Sequence, residues 1–224
     1  MRSVSTLEKT HKSRYVRSMD DLQFEIKKAF FQQKLGISEH RQFEILETAM
    51  ALIKDEGFEQ LSFQKLAKKC KVSRTLIHHY FKTKEDLVIR LLELSTFFLQ
   101  RYVQSELSKE TDPKKHYQVY CCATIDWPVL FPQQATGLLL FLYLCTFNSE
   151  MKKRNDSLSA LGRQKIKLLL AEAGLVNQRI EDTAQTTQTL LTGCYLVLLS
   201  ENHRPEESIR IRQSTLKTCL LISK

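Results

Sequence analysis

Residues 57–87, GFEQLSFQKLAKKCKVSRTLIHHYFKTKEDL, decide the fold. Two short apolar patterns stand in this stretch, each behind a serine. Ser62 precedes Phe63, Leu66, Ala67 and Cys70, and Ser73 precedes Leu76, Ile77, Tyr80 and Phe81. Apolar residues three and four apart share one face of a helix. A serine hydroxyl just ahead of a helix accepts from a backbone N–H that has no partner inside it. The spacing therefore predicts a helix over Phe63–Cys70 and a second from Ser73 to about Tyr80, with a tight turn at Lys71 and Val72. Two short helices joined in this way make a helix-turn-helix. Ala67 is small enough for the second helix to cross there, and Val72 plugs the corner. The inner face of the second helix is Leu76 or Ile77, then Tyr80 and Phe81, while Arg74, Thr75, His78 and His79 point outward. Such a helix fits the DNA major groove with its N-terminal residues nearest the base edges.

Upstream, Phe43, Leu46, Met50 and Ile53 recur at helical spacing, which predicts a helix over residues 39–56 ended by Gly57. Downstream, Lys84, Glu85 and Asp86 open a long helix whose inner face is Leu87, Leu91, Leu94, Phe98 and Tyr102. Charge concentrates in the same region. The chain has 224 residues and a net charge of +9, but residues 1–84 carry 17 basic against 10 acidic side chains, and residues 85–224 carry 17 against 15. Between residues 60 and 84 stand Lys65, Lys68, Lys69, Lys71, Arg74, Lys82 and Lys84, with no Asp or Glu. A run of lysines alone would be a solvated helix face. Interleaved with a helix-turn-helix pattern, it matches the phosphate-binding, salt-dependent part of DNA recognition.

The run resembles the DNA-binding domain of the TetR family of transcriptional regulators. The residues that carry the resemblance are Gly57-Phe58, Ser62, Ala67, Val72-Ser73, Tyr80-Phe81 and Thr83-Lys84-Glu85, within about residues 39–99. It implies that Arg74, Thr75, Leu76 and His79 face the groove. It also implies that Ser62, Ser73, His78, Tyr80 and Lys84 contact or approach phosphates. Three positions depart from the family pattern: Lys71 where Gly is common in the turn, Thr75 where Gly is common early in the recognition helix, and His78 where Tyr is common. A non-Gly residue at the turn adopts the left-handed conformation at a cost of about 1–2 kcal/mol.

The remaining chain reads as helices at 114–126, ended by Trp127-Pro128, then 133–151, 156–173 closed by Gly174, 180–201, and a last one from Pro205 or Glu206. With only 6 Gly and 4 Pro there are few turns for sheets, which disfavours all-β folds and Gly-rich nucleotide-binding architectures. The resemblance implies an all-helical effector-binding and dimerisation domain here. The helices at 156–173 and 180–201 would pair with those of a second copy, through Leu158, Leu161, Leu168, Leu190, Leu191, Cys194 and Leu198, with Gly162 and Gly193 allowing close approach. An ordinary intrachain core is the alternative for each. Phe98, Tyr102, Tyr120, Trp127, Phe141 and Phe147 supply a candidate ligand pocket, with burial in the core as the alternative.

Six cysteines, at 70, 121, 122, 145, 194 and 219, form no Cys-x-x-Cys pair. They read as small buried hydrophobes, with a thiol sensor at Cys121, Cys122 and Cys145 as the alternative. No metal-ligand cluster, phosphate loop or nucleophile motif stands out, so neither a metal, a cofactor nor an enzyme is expected. The longest apolar stretch, 135–147 at its widest, falls short of the roughly 20 residues that span a bilayer. The N-terminus has no secretory apolar segment. A cytoplasmic, nucleoid-associated protein with no membrane contact is expected.

The expected fold is all-α, in three parts. Residues 1–38 form a basic arm and an extra helix over 19–35, with a stripe of Leu22, Ile26, Ala29 and Phe30; residues 39–86 form the three-helix DNA-binding domain; residues 87–224 form the helical effector-binding and dimerisation domain. The expected function is a dimeric DNA-binding regulator, a repressor, whose affinity for a double-stranded operator is modulated by a small apolar or aromatic ligand. The alternative is a DNA-binding interaction or chromosome-organising protein of the same fold with no small-molecule effector.

Overall fold

The helices follow from the caps and breakers in the chain. A computed structural model of the protein describes residues 36–175, 179–200 and 205–223. The extra helix expected over 19–35 and the basic tail lie outside the described residues. Among the described residues there are α-helices, two short 3-10 turns and no strand.

Helix α1, Ile37–Glu56, buries Phe43, Leu46, Met50 and Ile53, the stripe read from the sequence. It ends at Gly57, whose φ of 89° suits a residue without Cβ. After a 3-10 turn at Phe58–Gln60, α2 spans Phe63–Cys70 and α3 spans Arg74–Tyr80. Ser62 accepts from Lys65 N at 3.2 Å, and Ser73 from Leu76 N at 3.1 Å. Between them Lys71 adopts the left-handed conformation, φ 54° and ψ 43°. The Lys71 and Val72 N–H groups there satisfy the Lys68 and Ala67 carbonyls. Helix α4, Lys84–Leu107, opens on a reciprocal cap: Asp86 N donates to Thr83 Oγ1 and Thr83 N donates to Asp86 Oδ2, both at 3.0 Å. Its buried face is the one expected, Leu87, Leu91, Leu94, Phe98 and Tyr102.

Beyond α4 the chain forms α5, His116–Leu130; α6, Pro132–Leu144; α7, Ser149–Glu172; α8, Ile180–Ser200; and α9, Pro205–Ile222. Two expected boundaries change. Helix α5 does not stop at Trp127-Pro128 but runs to Leu130. Proline removes one backbone donor from a helix interior, and burial of Trp127 and Pro128 holds the last turn in place, closed by Phe131 N donating to Trp127 O at 2.8 Å. The single helix expected over 133–151 is divided. Helix α6 ends at Leu144, and α7 starts at Ser149, seven residues before the expected 156. Asn148 makes the break: its side-chain oxygen accepts from Glu150 N at 3.0 Å and Met151 N at 3.1 Å.

Helix α6 packs on both α4 and α1, α7 packs along α8, and α9 lies against α8 and α5. One apolar core runs from Ile77 and Phe81 at the helix-turn-helix, through α1 and α4, to Trp127, Phe141 and Tyr195. A second core lies under α9, around Cys121, Ile166, Leu170, Ala184 and Cys219. There the Tyr117 hydroxyl donates to Cys219 O at 3.1 Å and pairs with Thr187 Oγ1 at 2.8 Å, joining α5, α8 and α9. Gly137 of α6 sits where α1 and α4 converge. A Cβ there would stand 2.7 Å from Ser95 Oγ and 3.9 Å from Met50 Sδ. No described helix is long and apolar enough to cross a membrane.

Candidate functional site

Helix α3 is held by its inner side. Ile77 is fully buried and Phe81 nearly so, while Ser73, Arg74, Thr75 and His79 are exposed. Ser73, Arg74 and Thr75 lie at the N-terminal end of α3, the end nearest base edges when such a helix enters a groove, and His79 stands in its last turn. Leu76 is half-buried at the edge of this surface. His78 is half-buried too, its ring edge-on to Phe63 at 4.7 Å, so it is shared between the packing of α2 and the outer face. The Tyr80 hydroxyl lies 3.2 Å from Ser38 Oγ and ties the end of α3 to the start of α1.

The cations of residues 60–84 are not all free of anions. Glu56, just outside that window, pairs with Lys65 and, at 2.9 Å, with Lys69. Hydrogen bonds from Lys65 and then Lys69 hold the Glu56 carboxyl below the usual carboxylate range. Lys84 turns back on the head: Nζ donates to Phe58 O at 3.2 Å and stands 3.9 Å from the Phe58 ring centroid. Lys68, Lys69, Lys71, Arg74 and Lys82 are the exposed cations around α2 and α3, Lys69 being the one paired with Glu56.

A second feature is a cleft of about 900 Å³. Helix α4 contributes Leu99 and Val103, α5 contributes Tyr120 and Trp127, and α7 and α8 contribute Leu158, Ile166, Gln188 and Tyr195. Trp127 and Tyr195 stack, centroids 5.8 Å apart and planes 11° apart. Burial pushes the Tyr120 hydroxyl up to about 12. Helix α4 lines this cleft along Thr96, Leu99, Val103 and Leu107, and its other end begins at the Thr83 cap beside α3.

The sequence profile of bacterial regulatory proteins of the tetR family matches residues 45–91, which include α2, α3 and their turn. Over those residues the chain resembles the tetR family. An uncharacterized HTH-type transcriptional regulator of Bacillus subtilis, YuxN, is 40% identical over 48 residues, a match that spans 21% of this chain and only 16% of that relative. A TetR transcription regulator from Haloarcula marismortui superposes over 82% of this chain and 96% of its own, with a TM-score of 0.66 and 19% identity. The regulator AibR, solved with isovaleryl coenzyme A and operator DNA, superposes over 80% of this chain and 97% of its own, with a TM-score of 0.63 and 18% identity.

The six aromatic residues expected at a pocket separate. Tyr120 and Trp127 line the cleft. Phe98, Tyr102 and Phe141 are buried, with Phe98 and Tyr102 both edge-on to Phe131. Phe147 is 65% exposed and packs against Tyr143. Of the leucines expected at a second copy's surface, Leu161 is 67% and Leu168 52% exposed, whereas Leu191 and Cys194 are buried within the chain. The thiols do not read as reactive. A hydrogen bond with Cys219, then burial, raises Cys121, and burial raises Cys122 and Cys145. The residues missed from the sequence are Tyr195, Gln188 and the α4 stripe. That stripe repeats at i, i+3 and i+4 on a face beside the buried one, a periodicity the sequence carried.

Proposed function

We propose that the protein is a dimeric transcriptional repressor whose grip on an operator is relaxed by a small ligand. The observation that carries this reading is the exposed outer face of α3, Arg74 and Thr75 at its N-terminal end and His79 in its last turn, anchored from behind by Ile77 and Phe81. In this reading Arg74, Thr75, Leu76 and His79 face the bases. Ser62, Ser73, His78, Tyr80 and Lys84 lie along the phosphates, with Lys84 also bracing Phe58. Residues 39–86 are the DNA-binding unit and residues 87–224 the sensing and pairing unit. Two recognition helices on one duplex face need a two-fold axis. The exposed Leu161 and Leu168 of α7 and Leu196 of α8 supply an apolar surface for the second copy, and Leu161 and Leu196 also line the cleft, so the pairing surface borders it.

The cleft between α4, α5, α7 and α8 is the effector site of this proposal. Its volume suits a drug-sized molecule, and Tyr120 and Trp127 stand in its wall. The fold neighbour AibR, solved with an acyl coenzyme A and operator DNA, supports a ligand-responsive role. Helix α4 links cleft to head, so a ligand that shifts α4 shifts α3.

Selection of bound duplexes from a random DNA pool tests this function. Wild-type protein is expected to enrich a palindrome with half-sites about one or more helical turns apart, and Arg74→Ala to lose that enrichment. A monomer by light scattering at micromolar concentration, or no enriched sequence, would overturn the reading.

A further inference from the structure

The cleft just described has a charge signature. Its wall contains Arg163 and Lys165 and no aspartate or glutamate. Arg163 is half-buried, and its guanidinium meets an amide: Nη1 donates to Gln188 Oε1 at 3.1 Å. Gln188 is itself fixed, because Nε2 donates to Ser159 O at 3.2 Å. Gly162 leaves the space for this arrangement, since a Cβ there would stand 3.1 Å from Gln188 Nε2. The order of causes is therefore a glycine that admits a glutamine, a glutamine pinned to a carbonyl, and an arginine oriented by that glutamine.

An amide satisfies one N–H of the guanidinium but brings no countercharge. The planar fork of arginine matches the paired oxygens of a carboxylate or phosphate. A cationic ligand fits the cleft poorly. Arg163 and Lys165 repel it, and a quaternary ammonium needs open aromatic faces on several sides. Trp127 and Tyr195 instead cover one face of each other.

We infer that the cleft takes an oxyanionic amphiphile, a carboxylate or phosphate on an apolar body, with Arg163 as the anion anchor. The inference rests on the proposed effector role of the cleft. The apolar body lies along the wall that includes Leu99, Val103, Trp127 and Ile166.

Trp127 is the only tryptophan of the chain and stands in this wall, so its emission reports occupancy directly. The full-length protein is titrated with decanoate, decyl phosphate, 1-decanol and decyltrimethylammonium. At least one of the two anions is expected to bind about 10-fold or more tightly than the alcohol and the cation, and the two anionic arms tell carboxylate from phosphate. Arg163→Gln is expected to remove that preference. The wild-type ranking needs no variant, so it stands even where a substitution disturbs folding. Cation binding as tight as anion binding, or an anion preference that survives Arg163→Gln, overturns the inference. If all four bind alike, only the anion assignment fails. If none shifts the Trp127 emission, the effector role of the cleft fails with it.

Discussion

The helix-turn-helix head and the helical body are built by different means. In the head, three helices start within 22 residues of one another, each on a polar side chain: Ser62, Ser73 and Thr83. Their boundaries are encoded locally, by a hydroxyl and by a turn residue that accepts the left-handed conformation. In the body, helices of 13 to 24 residues pack along one another, and burial overrides a local breaker at Pro128, although Asn148 still caps α7 locally. Pro128 stays helical because its neighbours bury it, against its own preference. Local chemistry thus dominates in the helix-turn-helix head, and collective packing in the part that surrounds the cleft.

The largest expected effect lies in the body. Phe141 is fully buried in the core that α4, α5 and α6 share. Phe141→Ala is expected to cost about 3–5 kcal/mol by urea denaturation. A loss near 1 kcal/mol would mean that packing there is no more decisive than a cap. Next is Tyr117→Phe, which leaves Thr187 Oγ1 and Cys219 O without the hydroxyl that joins α5, α8 and α9. A loss of about 1–3 kcal/mol is expected from the stranded polar groups.

The head should respond less to single changes. Ser73→Ala removes the cap of α3 and should cost about 1 kcal/mol, read as a lower thermal midpoint. Lys71→Gly runs the other way. It relieves a left-handed side chain worth about 1–2 kcal/mol and loosens the unfolded chain by about 0.4–1 kcal/mol. A small net gain is expected, and a clear loss would show that the Lys71 side chain is needed in the fold.

The smallest effect joins the two ends of the body. The His116 ring lies 3.1 Å from Glu110 O and 3.3 Å from Glu172 Oε2. The bond with Glu110 O raises its pKa above the ordinary 6.5, against the half-burial of the ring, and the bond with Glu172 adds to the rise. A raised histidine stabilises fully below its unfolded pKa and loses that contribution as pH rises through the folded value. The difference in thermal midpoint between wild type and His116→Gln should therefore be largest near pH 6 and fade above neutrality. A difference that does not change with pH would assign the contact to packing alone.

The same contrast explains what the sequence disclosed. Helix α2 appears at the expected residues, because Ser62, the Leu66-Ala67 pair and the Lys71 turn are local signals. The division at Asn148 was masked by the apolar run on its N-terminal side, although Asn is itself a capping residue. The candidate DNA face was legible because it is the outer side of a helix whose inner side was already fixed. Two refinements needed three dimensions. Glu56 reaches Lys65 and Lys69 across a turn, and Lys84 reaches back 26 residues to Phe58. The cleft was half legible. Tyr120 and Trp127 stood out as aromatic, but Arg163, Gln188 and Gly162 acquire meaning only once α7 lies along α8.

Gly137 carries a consequence for how the parts can be exchanged. Met50 of the head, Ser95 of α4 and Gly137 of α6 meet at one point, where an added Cβ would displace the Ser95 hydroxyl and touch Met50. The apolar core likewise runs without a break from Ile77 to Tyr195. Head and body are therefore expected to melt in one cooperative transition rather than two. A head transplanted from a relative must bring its own complement to Gly137. A hybrid made by cutting at Thr83 alone would divide this shared core and join two halves whose surfaces no longer mesh.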